Sequence, residues 1–108
     1  MSYFVSAGIE AVEGTDLAHV ERELAILVAA TVKEPGCIRF EIRQNLENLR
    51  RFVLWEEWTG PEALADHFRY AHTERVIGAQ ITRVIYNEKL GEIGARADTA
   101  TLAAVPEH

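Results

Sequence analysis

Cysteine is nearly missing from this chain. Cys37 is the single one in 108 residues, which excludes an internal disulfide and any metal site built from several thiolates. Beside Gly36, at an expected strand start, it reads as a small packed residue rather than a nucleophile. A basic run is absent too, and the net charge is −6, which argues against nucleic acid and against an anionic membrane surface as partners. There is no basic-then-apolar leader and no long uncharged apolar segment, so the chain is expected to be cytoplasmic. Neither G-x-x-x-x-G-K-[ST] nor G-x-G-x-x-G occurs, and no convincing Ser/His/Asp order is present, so no nucleotide cofactor is expected. No internal repeat or second domain is visible. The length suits one domain, assigned to residues 1–98 with a tail or dimer arm over 99–108. At 48% hydrophobic the chain can build one modest core, which leaves association attractive.

What is present falls into alternating and helical patterns. Tyr3 to Val12 reads as a strand, with Val5, Ala7, Ile9 and Ala11 on one face. Thr15 or Asp16 can cap a helix running to Val32 on Leu17, Val20, Leu24, Leu27, Val28 and Thr31, with Glu21, Arg22 and Glu23 on its solvated side. Lys33-Glu34-Pro35-Gly36 stops it. Cys37 to Asn45 alternates Ile38, Phe40 and Ile42 against Arg39, Glu41 and Arg43, and pairs as a hairpin with a strand from Arg51 to Thr59. Thr59 and Glu62 suggest a capping box for the next helix, and Pro61 suits its first turn. That helix carries Leu64, His67, Phe68 and Ala71. A second helical piece is expected from about Thr73 to Tyr86, with a strand over Ile81 to Leu90 as the alternative. The last strand is placed at Glu88 to Asp98. The fold class is therefore α+β, a ferredoxin-like split β-α-β-β-α-β with a four-stranded antiparallel sheet. Its uncovered sheet face, with Val53, Trp55, Val5 and Ile9, is expected to be buried in a homodimer.

The chemistry-bearing residues gather between Arg51 and His72. His67, one turn after Leu64, belongs on or beside the buried helix face. It is either a half-buried histidine bonded to the backbone or a general base. His72 lies five residues on, about 140° round a regular helix. The two share a face only if the helix breaks near Ala71, so a metal site is not expected here. Glu56 shares a strand face with Phe52, Leu54 and Trp58, an unusual place for a carboxylate. It is a structural ion pair, or a group that steers His67 or His72. Trp58 is either core or a flat wall for an aromatic substrate. Phe68, Phe52 and Tyr70 complete the candidate substrate-binding set, with Phe68 expected to face inward.

Glu34-Pro35-Gly36-Cys37-Ile38-Arg39-Phe40, Glu56-Glu57-Trp58 and Glu62-Ala63-Leu64 leading to His67 and His72 together resemble the antibiotic-biosynthesis monooxygenase family of dimeric α/β-barrel proteins. The resemblance covers roughly residues 3 to 86. It implies a cofactor-independent oxygenase of a small electron-rich aromatic, a quinol or anthrone, that reacts directly with O2. His67, His72 and Glu56 would be catalytic, and Trp58, Phe68, Phe52 and Tyr70 would hold the rings. A proton-transfer isomerase or lyase and a non-catalytic ligand-binding dimer stand as alternatives. Haem degradation is disfavoured, because the haem-degrading relatives use an asparagine where this first strand offers Phe4, Val5 and Ser6.

Overall fold

The computed structural model describes residues 1–94. Seven elements follow in order: β1 Tyr3–Ala11, α1 Leu17–Thr31, β2 Cys37–Gln44, β3 Arg51–Trp58, α2 Pro61–His67, α3 Ala71–Ala79 and β4 Thr82–Leu90. The strands form one antiparallel sheet in the order β2-β3-β1-β4. This is the ferredoxin-like arrangement, with its second helix in two pieces. Alternation places Val5, Ala7, Ile9, Ala11, Phe40, Phe52 and Trp58 on the inner face, where they pack with Val20, Leu24 and Leu27 of α1. Val5 and Ile9 are therefore core residues and not part of the uncovered face expected to carry them with Val53 and Trp55. The Asp16 side chain accepts from the His19 amide and caps α1, satisfying one of its free N–H groups.

Several expectations change. The helix expected to run to Tyr86 stops at Ala79, where Gln80 turns left-handed at φ 54°. The β-branched Thr82, Val84 and Ile85 then enter β4, as the strand alternative had it. Of the strand placed at 88–98, Glu88 to Leu90 belong to β4. Residues 91–94 are in no strand, and the remainder of that stretch, with the tail or arm expected over 99–108, lies outside the described residues. Ile38 is exposed rather than inward, because a bulge between Cys37 and Arg39 sets Cys37 opposite Trp58 and Arg39 opposite Glu57. A bulge adds one residue to the strand and breaks the two-residue period. Glu23 is also not solvated. It is buried and takes a bidentate ion pair from Arg75 at 2.9 and 3.0 Å, which ties α3 to α1.

The capping box is absent too. The N-cap of α2 is Gly60, which has no side-chain cap bond, and Pro61 opens the helix. Thr59 instead donates its amide to the Gly36 carbonyl at 3.0 Å, fastening the turn before β2 to the start of α2. The contact is tight. A Cβ on Gly36 would lie 2.3 Å from the Ala63 Cβ and 3.4 Å from its Cα. The Ala63 Cβ is fixed to its backbone and cannot swing aside, so Gly36→Ala should destabilise the protein by about 1–3 kcal/mol, the usual cost of overpacking. Chemical denaturation reads this directly, and an unmoved midpoint would contradict the packing described.

Candidate functional site

The helix breaks at Phe68–Tyr70, between α2 and α3. That break lets two histidines five residues apart turn to the same carboxylate. Glu34, in the turn between α1 and β2, accepts from His67 Nδ1 at 2.8 Å and from His72 Nε2 at 2.6 Å, both at its Oε2. Glu34 and His67 are buried, at 6% and 4% exposed, whereas His72 is partly open. The Thr73 hydroxyl lies 3.3 Å from the same His67 Nδ1. A carboxylate can only accept, so each imidazole donates from the nitrogen facing Glu34. His67 Nδ1 therefore carries the proton, and Nε2 keeps a lone pair with no hydrogen-bond partner among the described residues. Glu34 Oε1, by contrast, is sealed in with no partner.

His67 lines a cavity of about 160 Å³ between the helices and the inner sheet face, together with Glu56, Phe40, Leu54 and Phe68. Nε2 is the His67 nitrogen left available to it. Glu56, 6% exposed, accepts from Trp58 Nε1 at 2.9 Å. Burial pushes its pKa up to about 7, against the opposing pull of the Trp58 N–H and of Lys89. Burial also lowers the pKa of His67 from 6.5, with Glu34 pulling the other way. One wall thus holds a carboxyl that stays protonated nearly to neutrality and an imidazole that stays neutral to lower pH. Environments that separate two titrating groups in this way assign one as acid and the other as base.

The raised Glu56 pKa bears on stability as well. Between 4.5 and about 7 the folded chain holds a proton at Glu56 that the unfolded chain has lost, so stability must fall as pH rises through that window. At about 1.36 kcal/mol per pKa unit the loss is roughly 3 kcal/mol at most. Glu56→Gln removes it. Urea midpoints measured from pH 4.5 to 8 should decline more in the wild type than in the variant, and parallel curves would contradict the buried carboxyl.

The sequence-based candidates divide. His67, Glu56 and Phe68 reach the cavity, although Phe68 is 50% exposed and sits at its mouth rather than inside. Trp58 is fully buried behind them, its ring 4.9 Å from His67, and it orients Glu56 instead of forming the cavity wall. Phe52 packs in the core beside α1, away from the cavity. Tyr70 stacks on His72 at 5.3 Å, over an outer groove. His72 stands on the far side of Glu34 and is not part of the cavity wall. Glu56 does not steer either histidine; Glu34 does. In the sequence Glu34 belongs to the turn that stops α1 and to the Glu34-Pro35-Gly36-Cys37 motif, and neither gives it a role at the site. The one hint was an acid held between a long apolar helix and a Pro-Gly turn. Cys37 is half-buried with its thiol pKa pushed up to about 11 by burial, so the packed-residue reading holds.

Glu34, His67 and His72 are also the described residues placed to hold a metal ion, each offering one ligand atom, all within 4.8 Å of one another. The geometric objection drawn from their spacing rested on an unbroken helix, and the break removes it. No helix among the described residues is long and apolar enough to cross a membrane.

A family model described as antibiotic biosynthesis monooxygenase matches residues 2–78. The uncharacterized protein YjcS of Bacillus subtilis (strain 168) is 32% identical over 82 residues, covering 76% of this chain and 78% of its own. A solved structure of protein YJCS superposes with a TM-score of 0.79 at 29% identity, over 85% of this chain and 99% of the other. The crystal structure of PA3566 from Pseudomonas aeruginosa gives a TM-score of 0.70 at 27% identity, over 82% and 89%.

Proposed function

Since the chain belongs to the antibiotic biosynthesis monooxygenase family, we propose that it is a cytoplasmic, cofactor-independent oxygenase of a small quinol. The observation that carries this reading is the Glu34-held His67 on the wall of a cavity that Glu56 also lines, its Nδ1 engaged by Glu34 and the Glu56 pKa pushed up to about 7 by burial. His67 Nε2 removes a phenolic proton, and the Glu34 carboxylate steadies the imidazolium that forms. The resulting anion is electron-rich enough to reduce O2 itself, first by one electron and then by forming a C–O bond. Glu56 protonates the departing oxygen as the O–O bond breaks, while the oxygenated ring carbon loses its C–H proton and that electron pair completes the new carbonyl. One oxygen atom stays on the ring of the product quinone and the other leaves as water. The substrate supplies every electron.

The cavity size narrows the substrate. About 160 Å³ is close to the roughly 150 Å³ void that accommodates benzene, so a single-ring quinol fits better than a three-ring anthrone. The test is oxygen uptake by purified protein stripped of metal and flavin, with simple quinols and with an anthrone. Uptake with hydroxylated quinone as product supports the proposal. Turnover that continues without oxygen would replace it with the isomerase or lyase reading, which the same acid–base pair supports.

The active form we propose is a homodimer. The outer sheet face carries Trp55 stacked on Phe4 at 5.6 Å, with Val53 and Tyr86 exposed around them, more apolar surface than a monomer comfortably leaves wet. At the cavity mouth, Phe68 and Val84, 50% and 63% exposed, leave one side open that a second copy can close. Trp55→Glu puts a charge at the centre of the outer face and should shift the protein to monomers in sedimentation velocity. An unchanged mass would place the contact elsewhere.

A further inference from the structure

We propose that Glu34, His67 and His72 form a binding site for a zinc-class transition-metal ion, and that its occupation switches off His67 as a base. The second half rests on the oxygenase reading above; the first does not. Three observations carry the site. Two imidazole nitrogens already converge on one carboxylate oxygen at 2.8 and 2.6 Å. Zinc-class ions hold nitrogen and carboxylate donors at about 2.0–2.2 Å, so donors around one ion lie about 3.3 Å apart. The two oxygen–nitrogen sides have to open by about half an ångström, and the two imidazole nitrogens, within 4.8 Å of one another, have to settle to the same spacing through small turns of the three side chains.

The second observation is the sealed, unpartnered Glu34 Oε1. Buried Glu34 has both imidazole contacts at Oε2 and none at Oε1. A buried polar atom without a partner is costly, and a divalent ion drawn onto the carboxylate answers that deficit. The third is access. Glu34 also lines an outer groove of about 340 Å³ beside Glu62 and Asp66, whose negative charge favours the approach of a cation. Two nitrogens among three donors select a borderline metal such as zinc, cobalt or nickel over calcium or magnesium, which prefer all-oxygen shells. Three protein ligands leave a fourth position for water.

The consequence follows from the tautomer. A metal on His67 displaces the proton from Nδ1, and the neutral ring then carries its proton on Nε2. The nitrogen that Glu34 leaves free becomes a donor and can no longer take a proton from a phenol. Zinc binding and base catalysis exclude each other at this ring.

The experiment uses the full, untagged chain after chelation. Titration with Co2+ should show one equivalent per chain, with the strong visible bands of a four-coordinate site, and zinc should displace it. Glu34→Gln and His72→Ala should each weaken binding by about tenfold or more, while His19→Ala on the exposed face of α1 leaves it unchanged. If His72→Ala does not fold, His72→Gln replaces it, with circular dichroism confirming the fold. Absence of binding in the wild type, or one equivalent retained in the Glu34 and His72 variants, would overturn the site. Saturating zinc should also cut wild-type oxygen uptake at least about tenfold. Metal bound without any quinol turnover leaves the site standing and removes the oxygenase reading. Turnover indifferent to a bound ion removes the switch.

Discussion

Replacing His67 by alanine is expected to slow oxygen uptake with a quinol by about 10²–10⁴-fold, the usual worth of a positioned general base. The loss should fall on kcat and on kcat/KM together, because proton removal belongs to the transition state and not to ground-state binding. The pH profile gives a second readout. The acid limb should report His67, with an apparent pKa below 6.5, and the alkaline limb should report Glu56, near 7. Glu56→Gln should erase the alkaline limb while the acid limb stays. Glu34→Gln tests the support behind the base, since an amide can donate to His67 Nδ1 and so favour the wrong tautomer. Its rate should fall with the fold intact and with quinol binding little changed. Uptake unaffected in His67→Ala would remove the imidazole from the chemistry.

Trp58→Ala should produce the largest loss of stability. The side chain is completely buried between Phe40, at 6.3 Å, and His67, at 4.9 Å between ring centroids. Truncating a buried Trp costs about 3–5 kcal/mol through lost burial and the cavity left behind. A domain of this size has about 5–15 kcal/mol in all, so the variant should melt well below the wild type. Trp58→Phe separates the two contributions. It keeps most of the packing but removes the indole N–H from Glu56, a bond that lowers the Glu56 pKa. The alkaline limb should therefore move to higher pH in Trp58→Phe. A variant with both stability and limb unchanged would mean that Trp58 neither fills the core nor holds the acid.

The sheet and α1 were legible because each obeys one period without ambiguity. Val5, Ala7, Ile9 and Ala11 alternate, and Val20, Leu24 and Leu27 recur at helical spacing. The stretch after His72 was not, because Val76, Ile77, Ile81, Val84 and Ile85 satisfy a helical repeat while being β-branched. Pairing with β1 settled it, and a single sequence contains no such partner information. Ile38 was misplaced for a local reason, since one bulged residue shifts the alternation on one side of it.

The site divides on the same principle. His67 and Glu56 stood out because a titrating residue on an apolar face is conspicuous in a periodic pattern. Glu34 lies in a turn, where an acid is ordinary, and it meets His67 across 33 residues of chain. The helix break that brings His72 to the same carboxylate falls at Phe68-Arg69-Tyr70, which contains neither glycine nor proline. Nothing local marks it.

Glu34 fixes His67 with its proton on Nδ1 and leaves a lone pair on Nε2. Nitrogen-15 NMR of the histidine rings at pH 7.5, in chelated protein, reads that tautomer directly. His67 should show a protonated Nδ1 and an unprotonated Nε2, and Glu34→Gln should disturb the pattern. A His67 ring with its proton on Nε2, or one exchanging freely between tautomers as in water, would contradict the account.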